Sequence, residues 1–76
     1  MFRTLVKTDT VTVSDRTVAV RYFEFRTFRS VRRYSAEILL APGDRVILDD
    51  DSVTSLEVRV ICVAQATIYR DRKSVV

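Results

Sequence analysis

SLEVRVICVAQATIYR, residues 55–70, is a long stretch without a turn signal, and its conformation decides the fold class. Apolar side chains alternate along it, which is typical of a β-strand with a covered face. These alternating positions are Leu56, Val58, Val60, Cys62, Ala64, Ala66 and Ile68. The opposite side is also apolar at Ile61 and Val63, so the middle is expected to be covered on both faces. The pattern predicts a central strand with a buried, unreactive thiol at Cys62.

The rest of the chain shows the same bias toward strands. Val, Thr and Ile are abundant, and β-branched residues favour extended structure. Pro42 followed by Gly43 predicts a type II turn, because proline sets φ and glycine accepts a positive φ at the next position. Three polar clusters predict the other turns: TDT at 8–10, SDR at 14–16 and DDDS at 49–52.

Between these turns, TVAVRYFEFRTF at residues 17–28 changes its hydrophobic phase. Val18, Val20 and Tyr22 share one face of a strand, whereas Phe23 and Phe25 share the other. A change of phase near Tyr22 predicts a β-bulge, or a strand whose covered face changes along its length.

Together these patterns predict an all-β fold, a small antiparallel barrel or two-layer sandwich of five or six strands. Residues 1–76 are expected to form one small domain, with residues 70–76 as a loose C-terminal tail. A short helix within residues 30–41 is the alternative for that segment. Ser30 is a candidate cap, and Val31, Tyr34 and Ile38 have helical spacing.

Composition excludes several kinds of chemistry. The chain has no histidine to serve as a base near neutral pH, and Cys62 has no histidine to activate it. With a single glycine, a glycine-rich phosphate loop is excluded. The DDDS turn lacks the glycine and distal glutamate of an EF-hand loop. We therefore expect no enzymatic activity, no cofactor and no metal site.

Size and hydropathy set further expectations. A domain of 76 residues buries only about 60% of the surface that its unfolded chain exposes, and one cysteine permits no internal disulfide. Such domains often gain stability by association. No apolar run approaches the length of a signal peptide core or a membrane span. We therefore expect a cytoplasmic protein that forms a homo-oligomer or binds a protein partner, without membrane contact.

RTFRSVRR at residues 26–33 is the most basic stretch, in a chain with eleven arginines and two lysines. On a continuous strand Arg32 and Arg33 point to opposite faces, whereas Arg26 and Arg32 can share one. The arginines cluster only if residues 29–32 form a turn. Phe28 and Tyr34 flank that turn, as core anchors or as surfaces for stacking bases. The candidate nucleic-acid site comprises Arg26, Phe28, Arg29, Arg32 and Arg33.

These observations favour a non-enzymatic β interaction module that self-associates or docks onto a larger assembly. The alternative is an RNA or single-stranded DNA-binding protein that uses the arginine-rich turn. Asp49, Asp50 and Asp51 are candidate interface charges, because an acidic turn could meet the basic turn across a subunit boundary.

Overall fold

Within residues 2–74, four antiparallel strands form one sheet in sequential order, and a single helix covers one of its faces. The computed structural model describes residues 2–74, with side chains through residue 69. The elements are β1 (Arg3–Val13), β2 (Arg16–Arg26), β3 (Arg32–Ala41), β4 (Asp44–Asp50) and α1 (Val53–Ser74). The mostly β character is confirmed, but the sheet is open and four-stranded, so the barrel and the five or six strands are not confirmed.

The predicted turn at residues 8–10 is wrong, and this accounts for one missing strand. Thr8, Asp9 and Thr10 lie inside β1, where they pair with β2. Threonine favours extended structure, and Asp9 Oδ1 accepts a hydrogen bond from the Thr10 backbone N–H at 2.8 Å. Polar residues therefore continue a strand here without turning the chain.

The predicted central strand at residues 55–70 is also wrong, because this segment lies in helix α1. An alternating pattern contains every fourth residue, so the same side chains also fit one stripe of a helix. The buried stripe consists of Leu56, Val60, Ala64 and Ile68. Ser52 caps the N-terminus of the helix, since its Oγ accepts a hydrogen bond from the Ser55 backbone N–H at 3.1 Å.

The core lies between this stripe and one face of the sheet. Its sheet side is formed by Val18, Val20, Tyr22, Ala36 and Ile38, all nearly inaccessible to solvent. The prediction that Val18, Val20 and Tyr22 share a covered face is confirmed. The irregularity near Tyr22 is a β-bulge on the partner strand: Leu5 pairs with Phe23 and Lys7 with Tyr22, leaving Val6 as the extra residue.

Residues 32–41 form a strand, so the helix alternative for residues 30–41 is wrong. β3 pairs with β2 on one side and β4 on the other, which satisfies its backbone on both edges. The type II turn is supported by Gly43, whose φ is +79°. The SDR turn joins β1 to β2 with Ser14 at φ +58°.

The last turns of α1 overlap the segment predicted to be a loose tail, residues 70–76. Residues 70–74 belong to the helix, and the last two residues of the predicted tail lie outside the described part. Within residues 2–74, no helix has the length and apolar character that crossing a membrane requires.

Candidate interaction surfaces

The β2–β3 hairpin ends in a turn that carries most of the predicted arginine site; we call residues 26–33 the arginine tip. Thr27 organises the turn. Its backbone N–H donates to the Val31 carbonyl at 2.9 Å, and its carbonyl accepts from the Ser30 N–H at 2.9 Å. Its Oγ1 also accepts a hydrogen bond from the Val31 N–H at 3.2 Å. The chain therefore turns at residues 27–31, with Ser30 at φ +61°, whereas Arg32 of the anticipated 29–32 turn already lies in β3.

The arginine tip gathers the predicted residues at one end of the sheet but divides them between two faces. Arg26 and Arg32 are directly paired on the helix side, as their spacing predicted. Arg32 Nε lies 3.2 Å from Glu24 Oε1, so its charge is partly compensated. Arg33 lies on the opposite face, paired with Phe25. Arg29 is exposed within the turn itself.

The two aromatic residues that flank the turn have different environments. Tyr34 packs against the hydrophobic core. Phe28 is fully exposed, at 101% of its reference accessibility. Phe28 therefore contributes nothing to the core, and its ring is available to a partner.

The three aspartates predicted as interface charges lie at the same end of the sheet. Asp50 pairs with Tyr34 across the strands, and Arg59 Nη1 lies 3.2 Å from Asp50 Oδ2. Arg59 also donates to the Asp49 carbonyl at 2.6 Å. Asp51 is exposed after the end of β4. Among the described residues, no group of three or more His, Cys, Asp or Glu side chains is arranged to hold a metal ion.

The pKa of Asp50 is lowered, first by the hydrogen bond from the Asp51 backbone N–H at 2.7 Å and then by Arg59. A lowered pKa favours the charged form in the folded state, so Asp50 adds stability above its unfolded pKa. That contribution is lost as the pH falls through the folded pKa.

We expect the melting temperature to decrease as the pH is lowered below about 4, because Asp50 then becomes protonated. Calorimetry across this range should show a shallower drop for Asp50→Asn, and an unchanged profile would contradict the assignment.

The side of the sheet away from α1 is a second surface, which we call the open face. Within residues 2–74 no element covers it. Its centre carries a buried carboxylate: Glu37 on β3 is 2% exposed. Arg21 Nη2 on β2 lies 2.7 Å from Glu37 Oε1, and Arg45 Nη1 on β4 lies 3.1 Å from Oε2. The side chains of Arg21 and Arg45 remain about half exposed, so this triad presents net positive charge to solvent.

Aromatic rings and a cavity lie beside this triad. The Arg3 guanidinium stacks over the Phe23 ring, 4.4 Å from its centroid. Phe25 is the next residue of β2 on this face, and it lines a cavity of about 280 Å³. The other residues that line the cavity are Arg3, Ser35, Ile47 and Asp49. Ser35 is buried, and its Oγ has no hydrogen-bond partner among the described residues. An unsatisfied buried hydroxyl is uncommon in native structures.

The solvent side of α1 is a third surface. Val58, Ile61 and Tyr69 are 62%, 46% and 62% exposed and lie on one side of the helix. Cys62 lies between them and is exposed, so the prediction of a buried thiol is wrong. We call Val58, Ile61, Cys62 and Tyr69 the outer stripe.

Sequence reasoning found the arginine tip but missed the triad and the outer stripe. Arg21, Glu37 and Arg45 are separated along the chain, and only strand pairing brings them together. The outer stripe was visible as apolar residues on both sides of residues 55–70, but on a strand they would not form this stripe.

Comparisons with protein-family models, with curated proteins and with solved structures find no match to this chain.

Proposed function

We propose that this protein is a non-enzymatic assembly module that self-associates through the outer stripe of α1. The observation that carries the proposal is that α1 is apolar on both sides. The buried stripe already packs on the sheet, while the outer stripe faces solvent. An exposed apolar patch on a protein surface commonly marks a site of protein–protein contact.

A second copy of the chain is the occupant that best fits this surface. The core is a single layer of side chains between one helix and one sheet, so association would add the burial that so small a domain lacks. Gln65 is exposed on the same side of α1 as the outer stripe, and its amide can donate to and accept from the same residue of a symmetry-related copy. A contact of this kind matches itself across a two-fold axis.

The single cysteine provides a direct test. Cys62 is exposed in one chain but lies in the outer stripe, so self-association should bury its thiol. We expect labelling by a maleimide or Ellman's reagent to slow as protein concentration rises, because the thiol reacts in the dissociated chain.

A matched variant distinguishes protection of the Cys62 thiol by self-association from a thiol that reacts slowly in the single chain. Ile61→Asp should restore fast labelling at every concentration, because a charge in the stripe opposes its burial. Thr12→Asp places the same charge on exposed β1 and should leave protection unchanged. Concentration-independent labelling of the native chain would count against the proposal.

A second candidate function is binding of single-stranded RNA or DNA at the arginine tip. The observation that favours it is the fully exposed Phe28 ring among Arg26, Arg29 and Arg33. Arginine binds phosphate through paired hydrogen bonds, and an exposed ring can stack on an unpaired base.

Fluorescence anisotropy of a labelled single strand tests this candidate. We expect tight binding at about 50 mM salt and weak binding at about 200 mM. The double variant Arg26→Ala, Arg29→Ala should flatten the log–log salt dependence by about 1 to 2, since two phosphate contacts are removed. Absence of binding at the lower salt would exclude this function.

A further inference from the structure

The open face carries both the charge and the rings that an unpaired nucleic-acid strand requires. We infer that a single strand bound at the arginine tip continues along the open face, with a base stacked on Phe25 and phosphates on Arg21 and Arg45. This inference rests on the second candidate function and extends its site from the hairpin turn to the sheet.

Charge complementarity supports a polyanion as the occupant. Four arginines of the open face, Arg3, Arg21, Arg33 and Arg45, outnumber its two carboxylates, Glu37 and Asp49. Glu37 is buried between Arg21 and Arg45, so it holds these guanidinium groups in place while their remaining donors face outward. A fixed arginine loses little conformational freedom when it binds phosphate.

The aromatic residues point to an occupant with flat rings. Phe23 and Phe25 follow Arg21 on β2 at successive positions of the same face, about 7 Å apart. Arg3 covers Phe23 and offers its own guanidinium plane for stacking. Phe25 lines the cavity that Ser35 also lines.

The inference predicts separate effects for ring and charge variants, measured by anisotropy with a labelled oligouridylate and the matching oligothymidylate. Phe25→Ala should weaken binding by about 5- to 150-fold without changing the salt slope, because it removes stacking and no phosphate contact. Arg45→Ala should reduce the slope by about 0.7, the value of one phosphate contact on a single strand.

Three controls define the alternatives. Phe25→Tyr should restore affinity by retaining a ring. Leu5→Ala, which removes exposed apolar surface from the same face outside the cavity, should have little effect. Inorganic polyphosphate, which has charge but no bases, should compete poorly. Circular dichroism should show that each variant is folded.

The outcomes distinguish this inference from the function on which it rests. If Arg26→Ala, Arg29→Ala loses binding while Phe25→Ala and Arg45→Ala bind as the native chain does, the strand stops at the arginine tip and the inference is overturned. Equal competition by polyphosphate would also overturn it, because bases would then contribute nothing. No binding of any strand would overturn both.

Discussion

Replacing Val58 or Ile61 by aspartate is expected to convert the assembled protein into folded monomers. Both side chains are exposed in the single chain, so the substitutions leave the core intact. In the assembly each aspartate would be buried without a partner. An interface hot spot contributes about 2 kcal/mol or more, so we expect the dissociation constant to rise at least about 30-fold.

Light scattering coupled to size-exclusion chromatography measures this effect. Circular dichroism should confirm that both variants keep the helix and sheet of the native chain. Thr12→Asp adds an equal charge on the edge strand β1, away from α1, and should retain the native mass. If Val58→Asp and Ile61→Asp also retain the native mass, the outer stripe is not the interface.

The second large effect is expected in the core, at Ile38. This side chain is completely buried in β3, within the core between the sheet and α1. Ile38→Ala should lower the free energy of unfolding by about 2–5 kcal/mol, through lost burial and the cavity left behind. A domain of this size has a total stability of the same order, so the variant should be largely unfolded at modest urea concentrations.

Ile47→Ala is the matched control for this prediction. Ile47 lies on the neighbouring strand β4, on the open face, and is 51% exposed. Ile47→Ala should lower the free energy of unfolding by well under half as much as Ile38→Ala does. Urea titrations at one protein concentration, in the Ile61→Asp background, separate folding from association. Equal losses for the two variants would mean that both faces of the sheet are covered.

Local signals predicted the hairpins well because each depends on a few neighbouring residues. The Pro42–Gly43 turn needs only a fixed φ followed by a positive φ, and both are visible in the sequence. The turn at the arginine tip entered only as a condition, since residues 29–32 had to turn for the arginines to cluster, and the observed turn lies earlier, at residues 27–31. The covered face of β2 followed from the alternation of Val18, Val20 and Tyr22.

The helix was missed because its hydrophobic pattern satisfies two periods at once. Leu56, Val60, Ala64 and Ile68 recur every four residues, yet they also belong to an alternating series. The length of the segment at residues 55–70 favoured a helix, since strands rarely exceed about 10 residues. Ser52, three residues before Ser55, is also a helix-start residue. Weighing both signals would have changed the predicted fold class.

The candidate surfaces depend on pairing that no local pattern reveals. Arg21, Glu37 and Arg45 meet only because β3 lies between β2 and β4 in this register. A charged residue that alternates with apolar ones, as Glu37 does, predicts a solvated position. Glu37 can be buried because two neighbouring strands each contribute an arginine to pair with it. Predicting that burial requires the order of the strands in the sheet.

Self-association through the outer stripe is the central claim, and sedimentation equilibrium of the native chain tests it most directly. Measurements from about 1 to about 100 micromolar cover the range in which an interface of moderate affinity forms. We expect the mass to converge on one small integer multiple of the 8.8 kDa chain as concentration rises. A mass of 8.8 kDa at every concentration would contradict the claim.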